Sequence, residues 1–146
     1  VLGDVTDGVL NRLDEITHYK PATLFLLIGI NDLFNLYYQK QIPSTDYIAQ
    51  NIVKITQRIH EQSPKTKVYV QTVLPTAEAY MAEYINAVNA GLKRQEASAH
   101  YELIPLFDAF VGEDGLIKPE FTSDGTHLNE AGYQHWVAIL KNYLKK

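Results

Sequence analysis

The sequence predicts a parallel α/β sandwich, and three observations predict it. Residues 24–28, Leu-Phe-Leu-Leu-Ile, form an unbroken apolar run that stops abruptly at Gly29-Ile30-Asn31-Asp32. A short run without polar alternation reads as a strand buried on both faces, which places it inside a parallel sheet. Two further apolar runs, at 67–73 and 103–107, follow it, and one-faced helical repeats separate all three. Fully apolar strands joined by crossover helices give a βαβαβα order and hence helices packed on a parallel sheet.

Taken in order, residues 1–8 read as the tail of a strand turning into a helix whose apolar positions Val9, Leu10, Leu13 and Ile16 have helical spacing. After the run at 24–28 and its polar exit, Pro43-Ser44 offers a helix start, since Ser44 can accept the free N–H groups of a first turn. Ile48, Ile52, Ile55 and Ile59 recur every three or four residues and make one apolar face, ending before Ser63-Pro64. Residues 67–73 read as the second strand, with Leu74-Pro75-Thr76 as its exit. Residues 79–100 read as one long helix bearing Tyr84, Val88 and Leu92 on one face. The third strand spans 103–107 and ends before Asp108. A final helix covers 130–143 and includes Trp136, Ile139 and Leu140. Three strands are few for a sheet, which commonly holds about five or six, so a strand is expected ahead of Val1.

The chain has 146 residues, of which 46% are hydrophobic and 21% charged, as one globular domain requires. A net charge of -4 without a run of like charges gives no footprint for nucleic acid or an anionic surface, so neither is expected as a partner. With no cysteine, disulfides, thiolate zinc sites and a cysteine nucleophile are excluded, while the compartment stays open. The longest apolar run is far short of the roughly 18 to 20 residues that span a bilayer.

Two stretches can carry chemistry. In open α/β sheets ligands sit beyond the carboxyl ends of the strands, which is where Asn31 and Asp32 emerge. The second stretch is Asp124-Gly125-Thr126-His127, just before a predicted helix. An Asp three residues ahead of a His on a glycine turn can hold the imidazole Nδ1, fix its tautomer and stabilise the imidazolium; that is the base half of a triad. The competing reading has Asp124 capping the coming helix and His127 on its first turn. A metal reading is weaker, since His135 lies eight residues further along a helix. His18, His60, His100 and His135 read as surface or packing residues.

Three patches together resemble one family. Gly3-Asp4-Val5-Thr6-Asp7-Gly8-Val9-Leu10-Asn11-Arg12-Leu13, Leu27-Ile28-Gly29-Ile30-Asn31-Asp32 and Ser123-Asp124-Gly125-Thr126-His127-Leu128-Asn129-Glu130-Ala131-Gly132-Tyr133 resemble the second, third and fifth conserved blocks of SGNH (GDSL-type) hydrolases, and most closely the branch of platelet-activating-factor acetylhydrolase catalytic subunits. The resemblance implies a three-layer α/β/α sandwich of flavodoxin-like SGNH type in a single domain over residues 1–146. It implies a serine esterase that cleaves small acyl esters, acetyl or short-chain, through an acyl-enzyme. His127 would be the general base and later the acid, and Asp124 its orienting partner. Gly3, through its backbone N–H, and Asn31, through its side-chain amide, would form the oxyanion hole. Phe34, Val73, Pro75 and Leu128 would line the acyl pocket. No metal or organic cofactor is implied, because side chains and backbone N–H groups suffice.

One departure accompanies the match. The family's nucleophile lies in a Gly-Asp-Ser block at the end of the first strand, and this sequence contains no Gly-Asp-Ser. Ser44, Ser63 and Ser98 read as a helix cap, a helix end and a helix body, and Ser123 adjoins Asp124, so none replaces a first-strand serine. The expectation is an amino-terminally incomplete domain lacking its first strand and helix, its serine upstream of Val1, with pairing to that segment or to a second copy. The alternative readings are a non-catalytic relative that binds an ester or a glycan, and an unrelated α/β binding domain.

Overall fold

The computed structural model describes residues 6–11, 13–18, 20–28, 32, 33, 36 and 44–144, with Glu15 and Ile16 described for their backbone alone. Two short helices, α1 (Thr6–Asn11) and α2 (Leu13–His18), precede strand β1 (Thr23–Leu26). Helix α3 (Thr45–Gln62), strand β2 (Lys67–Gln71), helix α4 (Ala79–Gln95) and strand β3 (Glu102–Ile104) follow, then helices α5 (Leu106–Phe110) and α6 (Glu130–Leu144). The strands run parallel in the order β1-β2-β3, with Leu24 beside Val68 and Val70 beside Leu103.

Alternation along β2 builds the layers. Val68 and Val70 point into a core shared with Ile48, Ile52, Ile55 and Ile59 of α3 and Ile85, Val88 and Leu92 of α4, all buried. Burying each such side chain is worth about 1.5–3 kcal/mol relative to leaving it in water. Tyr69 and Gln71 point to the other face, where Tyr143 of α6 packs edge-on to Tyr69 at 5.4 Å and the Trp136 indole N–H donates to Gln71 Oε1 at 2.6 Å. Helices therefore cover both faces of a parallel sheet, as in a three-layer α/β/α sandwich. A second cluster, Leu106, Phe110 and Ile117 with Trp136 and Ile139 against it, seats α5 under α6.

Ser44 caps α3, accepting the Tyr47 N–H at 3.1 Å, and the helix stops at Gln62, ahead of Ser63-Pro64. Four boundaries depart from the sequence expectation. The run 24–28 forms strand only to Leu26; its residues are half-buried and Leu27 is exposed, because β1 stands at one end of the described sheet and β2 holds the centre. β2 ends at Gln71, not Val73, although the Thr72 N–H still bonds Ile104 O at 3.0 Å. The long helix ends at Gln95 and passes into a 3₁₀ turn, Glu96–Ser98, instead of running to residue 100. The third strand ends at Ile104, since Pro105 has no N–H for the ladder and the Phe107 N–H turns to Thr72 Oγ1 at 2.8 Å; Leu106 and Phe107 begin a helix.

Candidate active site

The turn before α6 is built around two oxygens of Asp124. Oδ1 accepts the backbone N–H of His127 at 2.7 Å and of Thr126 at 2.8 Å, and Oδ2 lies 2.8 Å from His127 Nδ1. A carboxylate can only accept, so Nδ1 carries the proton and Nε2 is the basic nitrogen of the neutral ring. The backbone N–H of His127, its ring N–H and the Thr126 N–H together hold the Asp124 carboxyl well below the usual carboxylate range. Both side chains are exposed, which leaves the imidazole accessible to a reactant.

Three contacts fix this turn on the sheet. Thr122 Oγ1 donates to His127 O at 2.6 Å and accepts the Gly125 N–H at 2.9 Å. The Ala77 N–H, on the exit from β2, donates to Gly125 O at 2.8 Å. Gly125 has φ 86°, and a β-carbon there would stand 2.8 Å from Ala77 Cβ, so both handedness and space require glycine. The cap of α6 is Asn129, whose Oδ1 accepts the Gly132 N–H at 2.9 Å. Asp124 thus spends its bonds on the turn and on His127, leaving the capping role to Asn129.

Beside Thr126 lies a small cavity of about 80 Å³ lined by Leu27, Ile28, Val73, Leu74, Thr76 and Thr126. It joins the exits of β1 and β2 to the residue preceding His127. Of the residues expected in an acyl pocket, Val73 lines this cavity. Pro75 is buried without lining it. Leu128 packs into the Phe110–Phe121–Trp136 cluster. Gly3, Asn31 and Phe34 lie outside the described residues. A larger cavity of about 470 Å³, lined by Thr72, Asn89, Lys93, Leu103 and Phe107 among others, includes neither Asp124 nor His127 and is no part of this constellation.

Asp32, which the sequence places at the exit of a strand, is buried. Its carboxylate accepts the Thr6 N–H at 2.9 Å and the Thr6 hydroxyl at 2.5 Å. Asn51 of α3 donates to Thr6 Oγ1 at 3.0 Å and to Asp7 Oδ1 at 3.2 Å, and the Tyr47 hydroxyl donates to Asp7. Burial raises the Asp32 pKa, the Thr6 bonds only partly offsetting it and the charge of Asp7 adding to it. Thr122, Ala77, Thr6 and Asn51 escaped sequence reasoning because their roles are pairings across 5 to 48 residues of chain; only the Gly in Asp-Gly-Thr-His signalled the tight turn.

Three of the four serines hold hydrogen bonds to nearby residues. Ser44 caps α3, Ser63 Oγ lies 2.6 Å from Thr66 Oγ1, and Ser98 donates to Gln95 O at 3.3 Å. Ser123 is exposed beside Asp124. Among the described residues no group of three His, Asp or Glu side chains could hold a metal ion, and no helix is long and apolar enough to cross a membrane.

Residues 1–135 match the family described as GDSL-like Lipase/Acylhydrolase. The platelet-activating factor acetylhydrolase IB subunit alpha2 of Rattus norvegicus is 29% identical over 136 residues, which make up 90% of this chain and 56% of that protein. The chain therefore spans little more than half the length of the curated relatives it matches. A solved Streptococcus pneumonia structure, provisionally described as a platelet activating factor, is 31% identical with TM-score 0.80, over 97% of this chain and 69% of that one. A GDSL-like lipase from Bacteroides thetaiotaomicron, 24% identical, shares the fold with TM-score 0.82 over 98% of this chain and 72% of that one.

Proposed function

We propose, since the chain belongs to the GDSL-like lipase/acylhydrolase family, that residues 1–146 are the acid-base portion of a serine esterase cleaving acetyl or similarly short acyl esters. The observation that carries this reading is the His127 Nδ1 to Asp124 Oδ2 bond of 2.8 Å, with the carboxyl held ionised and the ring open to solvent. His127 Nε2 takes the proton of a serine hydroxyl as that oxygen attacks the ester carbonyl, and returns it to the departing alkoxide. The same nitrogen then activates water, which releases the acid from the acyl-serine. Asp124 keeps the tautomer and stabilises the transient imidazolium. Gly3 and Asn31 donate to the oxyanion. The serine belongs to a segment outside these 146 residues, as the absence of Gly-Asp-Ser and the engaged Ser44, Ser63 and Ser98 support.

Cavity size favours a short acyl group. The space beside Thr126, about 80 Å³, is small beside the other cavity of about 470 Å³ and matches a small acyl group better than a fatty chain. The acetylhydrolase relatives are of the same chemical kind. The test is hydrolysis of aryl acetate against aryl octanoate by the full-length protein, with labelling by a serine-reactive phosphonate. Acetate is expected to be preferred. His127→Ala nearly abolishes turnover and Asp124→Asn lowers kcat by up to about 10⁴-fold. Asn31→Ala lowers kcat by about 10²- to 10³-fold with KM little changed. Wild-type turnover in Asp124→Asn would refute the triad, and octanoate preference would refute the short-acyl assignment.

A further inference from the structure

We infer that Asp32 is a positioning residue for the oxyanion-binding half of the site: with Thr6 and Asn51 it clamps together the two chain segments that carry Asn31 and Gly3. The inference rests on the esterase reading above. Asp32 follows Asn31 directly, and Thr6 lies three residues after Gly3. Among the described residues, one buried carboxylate bonds across these distant stretches: it accepts the Thr6 N–H at 2.9 Å and the Thr6 hydroxyl at 2.5 Å. The hydroxyl proton is committed to Asp32, so Thr6 Oγ1 has a lone pair left for the Asn51 Nδ2–H at 3.0 Å. Asn51 also reaches Asp7 at 3.2 Å, and so fixes the start of α1 against the core face of α3.

The clamp is costly in a way simple packing would not require. Asp32, Thr6 and Asn51 are all at most 2% exposed. Burying a carboxylate there is unfavourable and survives only because charge-assisted donors surround it. An apolar pair of the same volume would join α1 to the segment after β1 without that cost. What a carboxylate adds is direction, because its bonds fix the Thr6 backbone N–H and hydroxyl at about 3 Å and in line, where apolar contacts tolerate sliding. Oxyanion stabilisation needs that kind of fixity, since donors must aim at the place where charge develops, and a misplacement of about 1 Å can cost roughly 10²-fold in rate.

The experiment uses the full-length protein and compares Asp32→Asn, Thr6→Val and Thr6→Ser. Thr6→Val keeps the side-chain shape and removes the hydroxyl, while Thr6→Ser keeps the hydroxyl. Thr6→Val and Asp32→Asn are expected to lower kcat for aryl acetate by about 10- to 10²-fold with KM within about twofold. The rate of phosphonate labelling, which also passes through an oxyanion-like state, should fall in parallel, and Thr6→Ser should stay within about twofold of wild type. Each rate is normalised to the folded fraction from a thermal melt. The inference is overturned if Thr6→Val keeps wild-type kcat, if the loss appears in KM, if Thr6→Ser is as impaired as Thr6→Val, or if activity falls only in proportion to unfolding. A full-length wild type that neither hydrolyses the ester nor takes the label, or a fully active His127→Ala, overturns the esterase reading itself and this inference with it.

Discussion

Two aspartates a few elements apart show how one side chain acquires opposite chemistry from its surroundings. Asp124, in water, accepts two backbone N–H groups and a ring N–H and is held well below the ordinary carboxylate range. Asp32, out of water, is pushed above it by burial despite its Thr6 bonds. The consequences for stability have opposite signs. A lowered folded-state pKa contributes stability above the unfolded-state value that is lost as pH falls through the folded one, whereas a raised pKa contributes below the unfolded-state value and is lost as pH rises through the folded one. Acidification is therefore expected to protonate Asp32 first and Asp124 last. Carboxyl carbon NMR on a titrated, Asp-labelled sample checks this order, and the reverse order would contradict the geometry. The Asp124–His127 pair was legible in the sequence because both partners lie within four residues on one turn. The burial of Asp32 was not, since its partner Thr6 lies 26 positions away and Thr6 in turn meets Asn51 across 45 positions.

At the scale of elements, α6 depends on one position. Gly132 is its one buried residue, and a β-carbon there would stand 2.5 Å from Phe121 O and 3.0 Å from Leu128 Cβ. Gly132→Ala must displace a backbone carbonyl, and a loss of about 1–3 kcal/mol is expected from overpacking. Gly91 in α4 offers the contrast. Its β-carbon would meet Ala49 Cβ at 3.2 Å, and replacing a helical glycine by alanine gains about 0.5–1 kcal/mol, so Gly91→Ala should be close to neutral. Urea midpoints of the two variants of the full-length protein decide the comparison; a neutral Gly132→Ala would mean that α6 is free to shift. The helices themselves were readable because their isoleucines and leucines repeat with the helical period. Their ends were read less well. Pro105 closes β3 three residues early by withholding an N–H, and the run to residue 100 hid the tighter 3₁₀ turn.

At the scale of the whole molecule, large apolar side chains stand exposed just past β1 and on α6. β1 pairs with β2 along one edge only, among the described residues, and Leu27 just past it is 38% exposed. On α6, Tyr133, Val137 and Leu144 are 51%, 44% and 62% exposed. An apolar strand edge is a template for pairing with another chain. Residues 1–146 made alone are accordingly expected to run heavier than a monomer in light scattering, to ignore the serine-reactive phosphonate and to leave aryl acetate uncleaved. A monodisperse, labelled and active preparation would move the nucleophile to one of Ser44, Ser63, Ser98 or Ser123. The amino-acid order by itself determined the parallel α/β class, the isoleucine face of α3, its Ser44 cap and the Asp-Gly-Thr-His turn, because each is a repeat or a contact within a few residues. Tertiary structure alone decided that β2 and not β1 holds the centre, that Asn129 and not Asp124 caps α6, and that Asp32 is a buried clamp. Those outcomes depend on which distant groups a residue meets and how much water is removed from it, and neither quantity is carried by local spacing.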